Sequence, residues 1–287
     1  MAGQNKVSIL HLFEKKSAGQ PITMLTAYDY PGAMLVDEAG IDIILVGDSL
    51  AMTVLGYPNT VSITIDEMLH HCKAVARGTK RALLIGDMPF MSYQIEPAEA
   101  IRNAGRFIKE GGMDAVKLEG GREVADTVRA IVEAGIPVMG HIGLTPQTAT
   151  KLGGFKVQAK TSQAAQRLLD DALALQEAGC FSIVLEAVPA QVGQAVSQKL
   201  LIPIIGIGAG PDCDGQVLVF HDVLGLFERF TPKFVKRYAE LHQPILEALQ
   251  AYRAEVESRT FPNQAHTYKI NEAELEPFLH NKESKDT

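Results

Sequence analysis

Short apolar runs recur along the chain, and most of them end in a polar group. Six runs, rich in β-branched residues, show this: IILVGDS (43–49), ALLIGDM (82–88), AVKLEG (115–120), PVMGHIG (137–143), SIVLEAV (182–188) and IIGIGAG (204–210). Residues with helical periodicity follow each run, which predicts buried parallel strands joined by crossover helices. Because parallel strands all end at the same edge, we expect the polar residues to collect at one rim.

Two further apolar runs bring the number of predicted strands to eight. The strands begin near residues 22, 43, 82, 114, 137, 182, 203 and 216. Eight alternating strands and helices predict an α/β fold of the (β/α)8 TIM barrel class. A doubly wound open sheet is the alternative, but its ligand crevice would draw on fewer strand ends than the five or more that carry candidate residues here.

Capping residues and glycines delimit the helices. Thr64 and Glu67 have the spacing of a capping box, and Gly135 is expected to end a helix over about 122–134. Residues 232–259 predict a helix interrupted at Pro244, and the sequence from 263 is charged and weakly periodic. We therefore predict a single barrel domain over 1–262 and a charged tail over 263–287, which is either flexible or an ordered arm on a neighbouring subunit.

Composition narrows the class of partner. The 287-residue chain has a formal net charge of -7, so nucleic acids and anionic membrane surfaces are not expected partners. Neither a signal sequence nor an apolar run of about 18 residues is visible, which favours a cytoplasmic location. Cys72, Cys180 and Cys213 are widely spaced and are interpreted as reduced packing residues, with a nucleophilic Cys180 as the alternative.

The rim residues suggest a cation. Several carboxylates are too costly to desolvate together without a partner. Asp48 and Asp87 each follow a glycine at a strand end, and Glu119 would be a third carboxylate. Magnesium is favoured over zinc because no suitably spaced Cys and His set is visible. The alternative is that these acids cap helices or pair with arginines.

The remaining rim residues suggest substrate contacts and a base. Lys117 and Glu119 lie two apart on one strand and so face the same side; Lys117 would bind a substrate carboxylate or form a structural pair with Glu119. His141 would hydrogen-bond substrate or be a satisfied interior residue. Glu186 ends an apolar run, where a carboxylate suits proton abstraction beside a carbonyl.

Two segments stand outside this scheme. The long connection 144–163 contains glycines, basic residues, Gln147 and Gln158, and is either a lid over the site or a static loop. The run GIGAG (206–210) lacks the full GxGxxG pattern of a dinucleotide site. We interpret it as a place of close backbone approach.

The order and spacing of several segments resemble one enzyme family. The segments are TAYDYPGA, LVGDSLAMTVLGY, GDMPFMSY, VKLEGG, GHIGLTPQ, GGFKVQAK, LEAVPA and IPIIGIGAG. Together, over about residues 5–262, they resemble the ketopantoate hydroxymethyltransferases. The resemblance implies a (β/α)8 barrel related to the phosphoenolpyruvate mutase and isocitrate lyase group, assembled as a homodecamer.

The resemblance also implies a reaction and roles. A hydroxymethyl group would pass from 5,10-methylenetetrahydrofolate to 3-methyl-2-oxobutanoate through a magnesium-stabilised enolate, giving 2-dehydropantoate and tetrahydrofolate, the opening step of pantothenate and coenzyme A biosynthesis. The matching positions that this assigns are magnesium ligands (Asp48, Asp87 and Glu119), substrate contacts (Asp48, Ser49, Asp87, Lys117 and His141) and the catalytic base (Glu186). The chain departs from the family at Ala159, where glycine is expected, and in its longer tail.

Two other functions stay open at this point. A carbon–carbon lyase or phosphonate-type mutase on the same barrel would use the same kind of enolate without a folate. A catalytically silent oligomeric scaffold would leave the rim carboxylates without a purpose. Dependence of product formation on folate and magnesium separates the three.

Overall fold

Eight parallel strands close into a barrel in the computed structural model, which describes residues 5–150 and 153–280. The strands pair in chain order, and the last pairs with the first. They are β1 (Ile22–Thr26), β2 (Ile43–Val46), β3 (Leu83–Asp87), β4 (Ala115–Glu119), β5 (Val138–Gly143), β6 (Ser182–Glu186), β7 (Ile204–Ile207) and β8 (Gly215–Leu218). The predicted (β/α)8 barrel is confirmed.

Helices follow most of the strands. Those of the barrel are α1 (Ile9–Ser17), α2 (Tyr30–Glu38), α3 (Leu50–Thr53), α4 (Ile65–Gly78), α5 (Pro97–Lys109), α6 (Ala125–Glu133), α7 (Ser162–Glu177), α8 (Ala190–Lys199) and α9 (Phe220–Val223). The capping box of Thr64 and Glu67 is present at the start of α4. The alternation fails once: in the fully described segment 208–214, between β7 and β8, there is no helix.

Strand alternation decides which residues enter the barrel. The interior cluster contains Met24, Leu45, Ile85 and Val184, whereas Val116 and Leu118 pack outward against the helices. Lys117 and Glu119 therefore point inward together, as their spacing predicts. Register places Asp87 beside Lys117 and Glu119 beside His141 on neighbouring strands. The sheet itself thus brings the predicted rim residues together.

The amino-terminal segment closes the other end of the barrel. Val7 and Leu12 are buried in the interior cluster with the first residues of the strands. The Ser8 side chain accepts a hydrogen bond from the His11 amide and so caps α1. This helix is absent from the sequence prediction, although an N-cap serine followed by apolar residues at helical spacing is a usable signal.

The carboxyl-terminal region contains helices, one of which starts later than the sequence predicts. The described residues up to Ala239 form one compact unit, and those from Glu240 onward form a second. The predicted domain boundary at residue 262 stays a prediction. In the second unit, α10 (His242–Glu257) starts ten residues later than predicted, since Pro244 lies in its first turn, where a missing amide is tolerated. The region predicted as tail contains a second helix, α11 (Glu272–His280). Residues 281–287 of that tail lie outside the described residues.

The cysteine environments distinguish a packing role from a nucleophilic one. All three cysteines are free, and burial raises the pKa of the Cys180 thiol to about 12, which is unsuited to a nucleophile. Cys180 is also 3% exposed, consistent with a packing residue. Within the described part of the chain, every helix is too short or too polar to cross a bilayer.

Candidate active site

A cleft opens at the carboxyl ends of the strands; its space, counted together with the open solvent at its mouth, is about 1060 Å³. All seven residues that the sequence singled out line it: Asp48, Ser49, Asp87, Lys117, Glu119, His141 and Glu186. Ligand sites of TIM-barrel enzymes lie at this end of the barrel. The predicted residues therefore form one site, although they come from five different strands or the loops that follow them.

A line of polar contacts runs across the floor of the cleft. Lys117 Nζ lies 2.8 Å from Asp87 Oδ1 and 3.2 Å from His141 Nδ1. On its other side, His141 Nε2 lies 3.1 Å from Glu186 Oε2. Asp87 and Glu186 are thus linked through a cation and an imidazole. The apolar run around Glu186 predicts apolar surroundings for its side chain. The structure instead places a histidine beside it.

Gln147 ties two of the acids together from the loop after β5. Its side-chain Nε2 donates to Asp48 Oδ2 at 3.0 Å, and its backbone amide donates to Glu119 Oε2 at 3.0 Å. Its Oε1 accepts a hydrogen bond from the Tyr93 hydroxyl at 2.8 Å. Asp87 Oδ2 in turn accepts from the Asp48 amide at 3.0 Å. The orientations of the three carboxylates are therefore fixed by the protein.

Ser49 follows β2, and its side chain has a hydrogen-bond partner. Its hydroxyl is 2.8 Å from the hydroxyl of Tyr28, which follows β1. Tyr28 is buried, and its ring stacks on His221 with ring centroids 5.4 Å apart. The predicted substrate contact therefore faces the cleft on a hydroxyl pair supplied by two neighbouring strands.

The floor holds more negative than positive charge. Burial, together with the neighbouring acids, raises the pKa values of Asp48 and Asp87, the latter strongly and despite the adjacent Lys117. Burial raises the pKa of Glu119 to about 7. Burial alone would lower the pKa of Lys117, but the charges of Asp87, Glu119 and Asp48 raise it, so the ammonium stays charged. One cation thus serves three buried acids.

His141 is the neutral member of the group. Burial and the charge of Lys117 lower its pKa, and these effects outweigh the opposing influence of Glu186. A neutral imidazole has one ring N–H. With Nδ1 accepting from the Lys117 ammonium, that proton is on Nε2, where it faces Glu186.

The donor set fits a divalent cation. Among the described residues there is no preformed cluster of three or more His, Cys, Asp and Glu side chains that would enclose a metal. However, in the part of the chain that the structure describes, the buried oxygen Glu119 Oε1 has no hydrogen-bond partner, and Lys117 is the one cation beside the three acids of the floor. Magnesium is commonly held by one or two carboxylates, with water and substrate oxygens as the other ligands. Asp48, Asp87 and Glu119 as its ligands stay a prediction.

Sequence reasoning missed several residues of the site. The sequence predicts Gln147 only as part of a loop that is a lid or static, and it predicts no role for Tyr93 or Tyr28. All three lie inside the segments GHIGLTPQ, GDMPFMSY and TAYDYPGA, so proximity to strand ends was an available signal. Whether the loop 144–163 closes as a lid stays a prediction, and residues 151–152 of it lie outside the described residues.

Two backbone positions agree with expectation. Ala159, found where glycine was expected, has a φ of 54°, in the left-handed region that glycine adopts most easily. In GIGAG, a Cβ on Gly208 would come within 2.6 Å of the Phe234 ring. Gly208 therefore lets the Phe234 side chain approach the backbone closely, as the run GIGAG predicts.

Comparison with known proteins places this site in a family. The model of the family described as ketopantoate hydroxymethyltransferase matches residues 6–264. The 3-methyl-2-oxobutanoate hydroxymethyltransferase of Moorella thermoacetica is 58% identical over 269 residues, covering 94% of this chain and 100% of that protein. The enzyme of the same name from Syntrophobacter fumaroxidans is 59% identical over 271 residues, with 94% and 96% covered.

Solved structures resemble the fold at much lower identity. A phosphonopyruvate hydrolase in complex with oxalate and Mg++ superposes with a TM-score of 0.59 at 13% identity, covering 97% of this chain and 98% of that one. A 2,3-dimethylmalate lyase of the PEP mutase/isocitrate lyase superfamily gives 0.56 at 14% identity, with 96% and 95% covered. These neighbours agree with the fold relationship expected from the sequence. The match over nearly the whole barrel shows that the chain belongs to the ketopantoate hydroxymethyltransferase family.

Proposed function

We propose that the chain catalyses hydroxymethyl transfer from 5,10-methylenetetrahydrofolate to 3-methyl-2-oxobutanoate, forming 2-dehydropantoate in the first step of pantothenate synthesis. The name of relatives 58% identical over almost the full chain supports this activity. The structural observation that carries it is the buried group of three carboxylates and one lysine directly beside His141 and Glu186. A 2-oxo acid needs such a site, with positive charge for its oxygens and a base for the adjacent C–H.

Glu186 is the base in this proposal. It is the acid at the end of the polar line across the floor, and its side chain is 13% exposed to the cleft. An ionised carboxylate there would remove the proton from C3 of the oxo acid. The neutral His141, with its Nε2 proton facing Glu186 at 3.1 Å, would hold the carboxylate in position.

Lys117 and Ser49 bind and orient the oxo acid in this proposal. Lys117 is the charged cation of the floor and would pair with the carboxylate or the developing negative charge. The Ser49 hydroxyl, set by Tyr28 at 2.8 Å, would donate to a substrate oxygen. Asp48, Asp87 and Glu119 would hold the magnesium ion. When bound, that ion would draw electrons from the 2-oxo group and acidify the C3 proton.

The experiment measures product formation from 3-methyl-2-oxobutanoate with and without methylenetetrahydrofolate and magnesium. We expect formation of 2-dehydropantoate only when both are present. A lyase or mutase on this barrel would consume its substrate without folate, so activity indifferent to folate would contradict the proposal. A catalytically silent scaffold predicts neither product nor solvent exchange of the C3 proton.

Self-association and a cytoplasmic location complete the proposal. In α10 of the second unit, Ile245, Leu249, Tyr252 and Val256 are exposed along one face, which suits burial against another surface. The homodecamer implied by the family is tested by native mass spectrometry, where a monomer at micromolar concentration would contradict it. The three free cysteines, of which Cys72 and Cys180 are buried, agree with a reducing compartment such as the cytoplasm.

A further inference from the structure

The cleft has two chemically different halves. The polar floor suffices for a small oxo acid, and the cleft continues beyond it along the loop after β5 and the residues that follow β8. We call the remainder the outer half. It is lined by Met52, Phe155, Asp222, Phe227, Phe230 and Phe234.

Of the described residues, Asp222 is the one acid lining the cleft that has no role in the proposed binding of the oxo acid or in proton abstraction. It lies on α9, directly after β8, and is 9% exposed. Burial raises its pKa to about 6, while the charge of Arg237 acts in the opposite direction without cancelling that effect. A buried carboxylate of this kind gains most from hydrogen-bond donors on a ligand.

Aromatic rings form the walls around this carboxylate. Phe230 is 62% exposed and Phe155 is 57% exposed, although both line the cleft. Phe234 is held against the end of β7 because Gly208 leaves room for its ring, which would otherwise meet a Cβ at 2.6 Å. Exposed phenylalanines at the mouth of a cleft are costly in water and suit a flat ligand that covers them.

We propose that the outer half binds the pterin ring of the one-carbon carrier, with the Asp222 carboxylate accepting hydrogen bonds from its aminopyrimidine edge and the phenylalanines packing on its faces. This inference rests on the proposed function, which supplies a reduced folate as the second substrate. A pterin presents an amino group and a ring N–H side by side, and the two oxygens of a carboxylate match such a pair of donors. The flat ring system supplies the apolar faces.

The position of the outer half also suits the reaction. Both halves belong to one continuous cleft, with Glu186 and Asp222 lining the same space. A carrier held by its pterin ring in the outer half would present its one-carbon unit toward the floor, where the oxo acid loses its proton. Binding through Asp222 is therefore separable from proton abstraction by Glu186.

The test compares Asp222→Asn with Phe230→Ala and with Asp212→Asn, an exposed acid that does not line the cleft. Tetrahydrofolate binding is measured by calorimetry, and KM is measured for each substrate. For Asp222→Asn we expect tetrahydrofolate to bind at least about tenfold more weakly and KM for methylenetetrahydrofolate to rise in proportion, since hydrogen bonds to a charged group are lost. KM for the oxo acid should change less than about twofold, and Asp212→Asn should match the unmodified enzyme.

Three outcomes decide the inference. Weaker tetrahydrofolate binding in both Asp222→Asn and Phe230→Ala supports it; Phe230 is exposed, so its loss does not threaten the core. Unchanged tetrahydrofolate affinity in Asp222→Asn overturns it, as does a rise confined to KM for the oxo acid. If the unmodified enzyme exchanges the C3 proton but binds no tetrahydrofolate, the folate part of the proposed function fails, and this inference with it.

Discussion

The two ends of the barrel use charge in opposite ways. At the carboxyl ends of the strands, Lys117 is surrounded by Asp48, Asp87 and Glu119, so negative charge is in excess. At the amino ends, Lys15 pairs with Asp42 and Lys16 with Asp214, each at 2.6 Å. At the amino ends, which we call the balanced end, the paired charges neutralise each other and leave none for a ligand. At the carboxyl ends, the unbalanced end, the excess negative charge can be neutralised by a ligand. The first arrangement serves stability and the second serves function.

The balanced end follows a repeated design. Asp42, Asp114 and Asp214 each directly precede an even-numbered strand. Each also accepts a hydrogen bond from the backbone amide of a residue at the start of the preceding odd-numbered strand: Thr23, Leu84 and Ile204, respectively. Lys6, Lys15 and Lys16 of the amino-terminal segment neutralise these three acids. We call residues 6–17 the plug; its three lysines fasten it to the starts of β2, β4 and β8.

The largest effect is expected at Glu186, on the unbalanced end. Glu186→Gln should lower the rate of C3 proton exchange by about 100- to 10,000-fold, because general-base catalysis is lost while shape is retained. Proton exchange is followed by NMR in deuterated water. The melting temperature should change little, since His141 is the polar side chain that Glu186 contacts among residues 5–150 and 153–280.

Glu123→Gln is the matched control for that variant, because Glu123 is exposed at the same end of the barrel and does not line the cleft. Exchange at the rate of the unmodified enzyme in Glu186→Gln would remove Glu186 as the base. A large loss of stability would instead show that this end, too, is built for folding.

The next largest effect is expected at Asp42, on the balanced end. Asp42→Ala should lower the free energy of unfolding by about 3 kcal/mol, because it leaves Lys15 and the Thr23 amide without their buried partner. Denaturant unfolding measures this. Asp126→Ala, which removes a pair on a 94% exposed side chain, is the control and should cost less than about 1 kcal/mol.

Asp42 also predicts how the stability of the fold changes with pH. Burial alone would raise the pKa of Asp42, but hydrogen bonds from Lys15 and Thr23 outweigh it and lower the pKa below its usual value. The stability that Asp42 provides is therefore present above the unfolded-state pKa, about 4, and is lost as pH falls through the lower folded-state pKa. Asp42→Asn should flatten this acid limb; an unchanged limb would show that the Lys15 pair contributes little.

A smaller effect is expected at Gln147, which positions the acids of the unbalanced end. Gln147→Ala removes the donor to Asp48 and the acceptor for Tyr93, and should weaken manganese binding, used as a spectroscopic substitute for magnesium, by about 10- to 100-fold. Electron paramagnetic resonance measures the bound fraction without turnover. Gln163→Ala, at an exposed position, is the control. Unchanged manganese affinity would show that Asp48 does not need this orientation.

The sequence predicts the unbalanced end better than the balanced one, for a physical reason. Asp87, Lys117 and Glu186 end buried strands, and strand ends in a parallel sheet converge whatever the side chains do. Lys15 and Asp42 lie 27 residues apart in the chain. Their pairing depends on where α1 docks, which is set by the packing of the buried Leu12. Likewise, Gln147 and Asp222 lie after strand ends, and which side chains of such connections turn into the cleft is decided by tertiary contacts.

The smallest effect is expected at Lys6, and it tests whether burial ranks the pairs of the balanced end. Lys6 and Asp114 lie 2.7 Å apart, but their side chains are 45% and 32% exposed, against 16% and 7% for Lys15 and Asp42. Because water screens the exposed pair, Lys6→Met should cost less than about 1 kcal/mol in the free energy of unfolding, and high salt should erase the difference. Asp114 keeps its bond from the Leu84 amide in the variant. Equal costs for Lys6→Met and Lys15→Met would show that anchoring of the plug, and not desolvation, sets the strength of these pairs.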